Sequence, residues 1–227
     1  MSSDSRRRIS REPLGSQIAN AVRDEIFSGR LPPGTHLSQE EIRKQFGTSR
    51  IPVRDALMML ASEGLVVELG SGRVQVAGLS RRDLEDVFLI EGFLHGLACK
   101  RAAERITDPE LVELRGLHER LAAAVESGDA DFVAELNWSF HRRINQISGS
   151  AKLIAALRPL ALSMPRGFLA MVPNWAPKAL QMQEQLLSAL ADRDGAKAEE
   201  ISSSHTQRAG AELAAFLCKQ GIDLGNG

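Results

Sequence analysis

Apolar residues recur every three or four positions along most of this chain, and that spacing is typical of amphipathic helices. Near the N-terminus it predicts a helix that ends at Gly29, with the apolar positions Leu14, Ile18, Val22 and Ile26. A short second helix is predicted after Ser38, because Ser38 and Glu41 have the spacing of a capping box. Gly47 ends that helix.

A third helix is predicted to begin after Ser49, a good N-cap residue. Its apolar stripe consists of Val53, Leu57 and Leu60. Arg50 and Arg54 lie four residues apart and away from that stripe, at the positive end of the helix. Guanidinium groups in this place can contact phosphates, and they can also bind guanine in the major groove with two hydrogen bonds.

Two β-rich runs follow Gly64, from Leu65 to Leu69 and from Arg73 to Ala77, and they are joined by a turn that contains Gly72. This order of elements is the plan of a winged helix-turn-helix domain. It consists of two short helices joined by a tight glycine turn, arginines at the start of the second helix, and a hairpin that follows. We therefore predict such a domain over residues 13–78.

The rest of the chain has almost no strand signal, and helical periodicity returns in one segment after another. The predicted fold is mainly α, with the N-terminal winged helix-turn-helix followed by an antiparallel bundle of six or seven helices over residues 79–222. Residues 1–12 are predicted to form a basic flexible arm, either a soluble tail or a segment that follows the DNA backbone. Residues 223–227 are predicted to be a tail.

Composition limits the class of protein without identifying it. The chain has 227 residues, is 43% hydrophobic and has a formal net charge of −1, so overall charge alone does not indicate DNA. There is neither an apolar run long enough for a membrane span nor a signal peptide, and we expect a cytoplasmic protein. The two cysteines, Cys99 and Cys218, are expected to be reduced and buried.

The stretch LPPGTHLSQEEIRKQFGTSRIPVRDALMMLASEGLV, Leu31 to Val66, resembles the winged-helix domain of the GntR superfamily of transcription regulators. The resemblance implies that Ser38 contacts a phosphate and that Gly72 and Arg73 enter the minor groove. It also implies contacts to phosphates and base edges from Thr48, Ser49, Arg50 and Arg54. The family commonly has an arginine where this chain has Glu40, so we expect that phosphate contact to be lost, since a carboxylate is repelled by DNA.

The helical part, over roughly residues 80 to 222, resembles the FCD ligand-sensing domain of the FadR-like branch of the same superfamily. In that branch a carboxylate and three histidines often hold a divalent metal, which grips the carboxylate of a metabolite. The corresponding positions in this chain are Asn137, His141, Gln183 and His205. The resemblance thus leaves three alternatives. The first is a divalent metal such as zinc or nickel at His141, His205 and Asn137. The second is a metal-free pocket in which the four side chains bind an effector, and the third is a pair of hydrogen-bonded core histidines.

Two further positions bear on the effector. The family often has Arg and then Glu on the first bundle helix where this chain has Glu91 and His95, which we include in the effector-binding set. Because Glu91 would repel an anion, we expect an effector that is less anionic than the usual dicarboxylate or hydroxy acid.

The functional prediction is a homodimeric, sequence-specific transcription regulator, and a repressor rather than an activator. Its predicted partners are double-stranded DNA with a palindromic operator and a small metabolite that controls operator affinity. The alternative is a constitutive dimeric DNA-binding protein whose bundle senses nothing. An enzyme is not expected, because the chain lacks HExxH, a nucleophile elbow and a P-loop.

Overall fold

The computed structural model describes residues 13–70, 73–78, 80–163, 169 and 172–220. Backbone contacts divide the chain into two compact units, one ending at Ala77 and the other beginning at Gly78. The predicted arm at 1–12, the predicted tail at 223–227 and Gly72 of the predicted wing lie outside the described residues. Helices dominate the described part of the chain, and the predicted fold class is confirmed.

The first unit contains three helices and a small antiparallel sheet in its described part. The helices are α1 (Leu14–Phe27), α2 (Gln39–Gln45) and α3 (Arg50–Ser62). The strands are β1 (His36–Leu37), β2 (Val66–Glu68) and β3 (Val74–Val76), in the order β1-β3-β2. Gln75 on the central strand pairs with His36 on one side and Val67 on the other.

The core of the first unit forms where α1 packs on α3. The side chains at the predicted helical spacing are buried: Ile18, Val53 and Leu60 are 0% exposed, and Val22 is 3% exposed. This packing fixes α3 by its apolar stripe and leaves the opposite side of the helix to solvent, since Arg50 and Arg54 are both exposed.

The second unit has six helices in its described part, as the prediction of six or seven allows. They are α4 (Arg81–Arg105), α5 (Asp108–Ser127), α6 (Ala130–Ile147), α7 (Ala151–Ser163), α8 (Trp175–Ala191) and α9 (Gly195–Lys219). The first begins with a complete capping box, in which Ser80 Oγ accepts from Asp83 N at 3.0 Å and Ser80 N donates to Asp83 Oδ2 at 3.2 Å.

Helices α4 and α9 pack along most of their lengths, and small residues allow the close approach. Ser203 Oγ donates a hydrogen bond to the carbonyl oxygen of Gly92 at 3.0 Å. A methyl group added at Gly96 would collide with Ser203 Oγ, and one added at Gly210 would collide with the ring of Phe88. The spacing between these two helices is therefore set by positions that have no side chain.

The two cysteines differ in environment, and both are free. Cys99 is buried, and burial raises the pKa of its thiol to about 12. Cys218 is exposed, so the expectation of two buried thiols is wrong for Cys218, which lies near the end of α9. None of the described helices is both long enough and apolar enough to cross a membrane.

Candidate functional site

The turn between α2 and α3 determines how the predicted DNA-contacting residues are presented. Ser38 caps α2, with its Oγ accepting from Glu41 N at 3.3 Å. Gly47 has a positive φ of 58°, a conformation that glycine adopts without strain, and the chain turns there into α3. Ser49 is the N-cap of α3, but its side chain makes no capping hydrogen bond. Its hydroxyl and the first N–H groups of α3 are thus available to a phosphate.

Arg50 and Arg54 occupy the exposed side of the first turns of α3. Among the described residues, neither guanidinium has a carboxylate within ion-pairing distance, whereas several other arginines of the chain do. Thr48 is partly buried and Ser49 is exposed at the start of the same helix. The structure thus brings Thr48, Ser49, Arg50 and Arg54 together at one end of α3, with two free cations among them.

Glu40 pairs with an arginine that the sequence reasoning did not consider. Arg43 Nη2 lies 2.7 Å from Glu40 Oε1, and Arg43 Nε lies 2.9 Å from Glu40 Oε2. The hydrogen bond from Arg43 lowers the pKa of the Glu40 carboxyl, with smaller contributions from the charges of Arg43, Lys44 and Arg50. The side chain at position 40 therefore also neutralises a cation of α2 that could otherwise contact DNA.

The wing residue Arg73 is exposed and directly precedes β3. Its N–H donates to the carbonyl of Gly70 at 3.2 Å, and its own carbonyl accepts from Leu69 N at 2.8 Å. These bonds close the hairpin that joins β2 and β3. Gly72, the other residue predicted to enter the minor groove, lies outside the described residues.

In the second unit, two of the predicted effector residues are directly hydrogen-bonded. Gln183 on α8 is fully buried, and its Nε2 donates to Asn137 Oδ1 on α6 at 3.1 Å. Gln183 Oε1 lies 3.3 Å from Nδ1 of His118 on α5. Because an amide oxygen can only accept, the Nδ1 of His118 carries the proton in this bond. One side chain of α8 is thus tied to two other helices.

His118 was missed at the sequence level, although its position carried a signal. It lies four residues after Leu114 and three before Leu121, and both leucines are buried, at 0% and 1% exposure. A histidine in register with a buried apolar stripe points into the bundle, where its ring nitrogens need partners. Gln183 provides one of those partners.

A second group of predicted residues joins α4 to α6. Oε1 of Glu91 lies 3.5 Å from Nε2 of His95, one turn later on α4. The rings of His95 and His141 are 5.3 Å apart between centroids and tilted by 54°. The ring of Phe140 packs edge-on against His141 at 5.9 Å. Glu91, His95 and His141 therefore form one contiguous set of side chains.

His141 and His205 both lie in surroundings that favour the neutral imidazole. Burial lowers the pKa of His141 well below 6.5, and the neighbouring His95 and His205 lower it further. Burial, followed by the positive charge of Arg208, lowers the pKa of His205 to about 4. Yet both residues keep some accessible surface, as do Glu91, His95 and Asn137. None of these five side chains is fully enclosed by the bundle.

The side chains at the four implied ligand positions do not fit a tightly held divalent metal. Among the described residues, no three His, Cys, Asp or Glu side chains converge closely enough to hold an ion. The oxygens of both amides at the implied ligand positions, Asn137 Oδ1 and Gln183 Oε1, are each engaged in one hydrogen bond. Amide oxygens are also weak ligands for a transition metal, which prefers imidazole and thiolate or carboxylate.

An open groove of about 810 Å³ runs between α8 and α9, and His205 lies in its wall. An ion pair between Lys178 Nζ and Glu212 Oε1, 2.6 Å long, joins the two helices there. Trp175 also lines the groove, and its buried indole nitrogen has no hydrogen-bond partner among the described residues. Asn137, His141 and Gln183 are not among the lining residues, so the groove is separate from most of the predicted effector set.

Comparisons with known proteins match both units. A family model described as bacterial regulatory proteins, gntR family, matches residues 14–76, and one described as FCD domain matches residues 86–208. The chain is 30% identical over 201 residues to a probable D-xylose utilization operon transcriptional repressor of Paenarthrobacter nicotinovorans, with 88% of each chain covered.

Two further relatives come from Escherichia coli. The HTH-type transcriptional repressor RspR of strain K12 is 28% identical over 199 residues, which cover 86% of this chain and 87% of the relative. A solved structure of E. coli McbR/YncC superposes with a TM-score of 0.68 and 26% identity, and the match covers 93% of this chain and all of that one. The similarity therefore extends through both the helix-turn-helix and the bundle.

Proposed function

This chain belongs to the GntR family of bacterial regulatory proteins and carries an FCD domain, and on that premise we propose that it is a metabolite-responsive repressor. Its homologues and both of its domains are those of DNA-binding transcription regulators, which are not enzymes. The finer proposal is that a homodimer binds an inverted-repeat operator and that a small molecule in the bundle releases it. The relatives named as repressors support this sign of regulation.

The observation that carries the DNA-binding proposal is the unpaired state of Arg50 and Arg54. The apolar stripe of α3 is buried within the first unit, so both guanidiniums lie on the opposite, exposed side of the helix. They can enter the major groove without first breaking an ion pair. Ser38, Thr48 and Ser49 contribute hydroxyl groups to the adjoining phosphates, and Arg73 of the wing contacts the minor groove.

The proposal of a dimer rests on the short stretch of DNA that one recognition helix can contact. A single recognition helix covers one half-site of a few base pairs, which alone gives modest affinity. A two-fold axis that relates two copies would present two helices about one turn of DNA apart, and the operator would then be an inverted repeat. We propose this arrangement for the homodimer.

The proposal that the bundle binds a small molecule is supported by a set of polar side chains, namely Glu91, His95, Asn137, His141 and His205. Burial lowers the pKa values of His141 and His205, yet both side chains remain partly accessible. A buried polar set of this kind can hydrogen-bond a small molecule without a metal. The ligand can release DNA only if it binds the DNA-free arrangement more tightly than the DNA-bound one.

The test uses the full-length protein and a fluorescent duplex that carries the inverted repeat upstream of the protein's own gene. We expect binding that weakens steeply with salt, because phosphate contacts release counterions. Arg54→Ala should weaken binding by roughly 1–3 kcal/mol, whereas Arg158→Ala, an exposed arginine of the bundle, should not. Equal operator affinity of Arg54→Ala and wild type would reject the DNA-contact proposal.

The hydrogen-bonded chain Asn137–Gln183–His118 favours a second candidate, a constitutive regulator. Those three side chains satisfy one another and could simply be core polar groups. A dimer that binds its operator but is released by no fraction of a small-molecule cell extract would favour that candidate. Release by any fraction would favour the sensor.

A further inference from the structure

We propose that the site around Glu91, His95, Asn137 and His141 binds a neutral, polyhydroxylated molecule of sugar size, such as a monosaccharide or a sugar alcohol. This inference rests on the proposed function, since it names the class of ligand for the same site. It is drawn from the charges around the site and from the hydrogen-bonding capacity that the site leaves unused.

Among the described residues, no guanidinium or ammonium forms an ion pair with Glu91, whose partner is the imidazole of His95. The ring contacts of His141 are with His95 and Phe140. The guanidinium of Arg142, one residue along, lies over the ring of Trp138 at 5.1 Å. Arg208 and Lys178 act on His205 from the groove between α8 and α9, where Lys178 is paired with Glu212.

A ligand carboxylate would therefore lose part of its hydration in a half-buried site where no Lys or Arg pairs with Glu91. Its nearest formal charge would be Glu91, a carboxylate whose side chain is 15% exposed. Removing an anion from water without pairing it costs several kcal/mol, and a like charge nearby adds to that cost. An anionic ligand is thus disfavoured by two independent features of the site.

The remaining donors and acceptors match hydroxyl groups. Each imidazole brings two ring nitrogens that can form hydrogen bonds, and Asn137 keeps its Nδ2 donor because only its oxygen is used by Gln183. Glu91 is an acceptor that can receive two neighbouring hydroxyls, as acidic residues do with ribose in dinucleotide sites. A hydroxyl both donates and accepts, so a polyol can satisfy donors and acceptors alike.

An ammonium ligand fits less well, although Glu91 would attract it. An ammonium group only donates, so it would leave the Nδ2 donor of Asn137 and the imidazole N–H groups without an acceptor. His95 also already stands 3.5 Å from Glu91 as a partner for the carboxylate. The mixture of donors and acceptors therefore favours a neutral ligand over a cationic one.

The test is calorimetric titration of full-length protein near neutral pH with molecules that share a carbon skeleton and differ in charge. The first series is D-glucose, D-glucitol, D-gluconate and D-glucosamine, and the second is D-ribose, ribitol and D-ribonate. We expect a neutral member to bind and to release the operator duplex, and the acid of the same skeleton to bind at least tenfold more weakly. Tighter binding of an acid or of the amine would overturn the proposal.

Glu91→Gln is the informative variant, because it keeps the size of the side chain and removes its charge. We expect it to bind the neutral ligand roughly tenfold to hundredfold more weakly, since a hydrogen bond to a charged group is lost. It should also discriminate less against the acid. Glu119→Gln, at an exposed site on α5, should match wild type in both ligand affinity and operator affinity.

The ligand class and the proposed function fail in different ways. If no member of either series binds, while a cell-extract fraction still releases the operator, the ligand class is wrong and the sensor stands. If nothing releases the operator, both proposals are wrong.

Discussion

Gln183 Nε2 on α8 donates a hydrogen bond to Asn137 Oδ1 on α6, with 3.1 Å between the two atoms. In the branch of the family that this bundle resembles, the same two positions commonly hold a histidine and a carboxylate that ligate a metal. The amide pair joins the two helices by a direct hydrogen bond, and each of the two amide oxygens is already engaged in one hydrogen bond, that of Gln183 with His118.

The first prediction follows from this pair. Purified wild-type protein should contain no stoichiometric metal, and a chelator should not lower its melting temperature. The double variant Asn137→Asp/Gln183→His should bind zinc, because an anion and a third imidazole would then face His141 and His205. The measurement is elemental analysis together with melting in the presence of zinc. Gln181→His, exposed on the same helix, is the matched control and should gain no such site.

A second prediction concerns the approach of α4 to α9. Gly96→Ala should destabilise the protein by roughly 1–3 kcal/mol, because the added methyl group collides with Ser203 Oγ. Gly116→Ala on α5 meets nothing within 4 Å and should instead stabilise by about 0.5–1 kcal/mol, since alanine is the better helix former. Urea unfolding of both variants measures the difference, and equal midpoints would contradict the account of this packing.

The third prediction is that stability falls as the pH is lowered from about 6.5 towards 4. Both His141 and His205 have a folded pKa below the unfolded value, mainly through burial, so the unfolded chain binds more protons in this range. Each group can contribute up to about 1.4 kcal/mol per pH unit, and this stability is fully present only above about pH 6.5.

Urea unfolding at several pH values tests this dependence. His205→Gln should flatten it, because one buried imidazole is removed, although His95, Arg208, Lys178 and Glu212 still surround the site. His36→Gln, at an exposed position of β1, should leave the slope unchanged. An unaltered slope in His205→Gln would show that His205 is not buried as a neutral ring.

A fourth prediction concerns the ion pair at the start of α2. Glu40→Gln should tighten operator binding and steepen its salt dependence by about one unit, because it removes a carboxylate and frees Arg43 for one phosphate contact. Fluorescence anisotropy at several salt concentrations measures both effects. Arg43→Ala in the Glu40→Gln background should reverse the gain, and a gain that persists there would point away from Arg43.

The helices were predictable because their signals are local. Caps such as Ser80 and stripes such as Val53 with Leu60 require only neighbouring residues, and they located the helices to within about two residues. The start of α8 at Trp175 shows the limit of such signals, since its N-cap Asn174 has a left-handed conformation with φ of 60° and makes no side-chain capping bond. Strand β1 was missed because two residues, His36 and Leu37, cannot show an alternating pattern.

The partners of the site residues were less predictable, because they join segments far apart in the chain. The i, i+4 spacing of Asn137 and His141 placed both on one face of α6, but it did not reveal that Gln183 would bond to Asn137 or to His118. The pairing of Glu40 with Arg43 is local and could have been read from their i, i+3 spacing.

The close packing of α4 on α9 joins the first and last described helices of the bundle. Hydrogen bonds join positions of α4 and α9 that are 99 and 111 residues apart, so on the ribosome the apolar face of α4 emerges long before its main partner is synthesised. Contacts between such distant segments slow folding and leave apolar surface exposed in the meantime. The bundle should therefore be the part of the nascent chain that most needs chaperone protection, whereas the winged helix can fold as soon as β3 has left the exit tunnel.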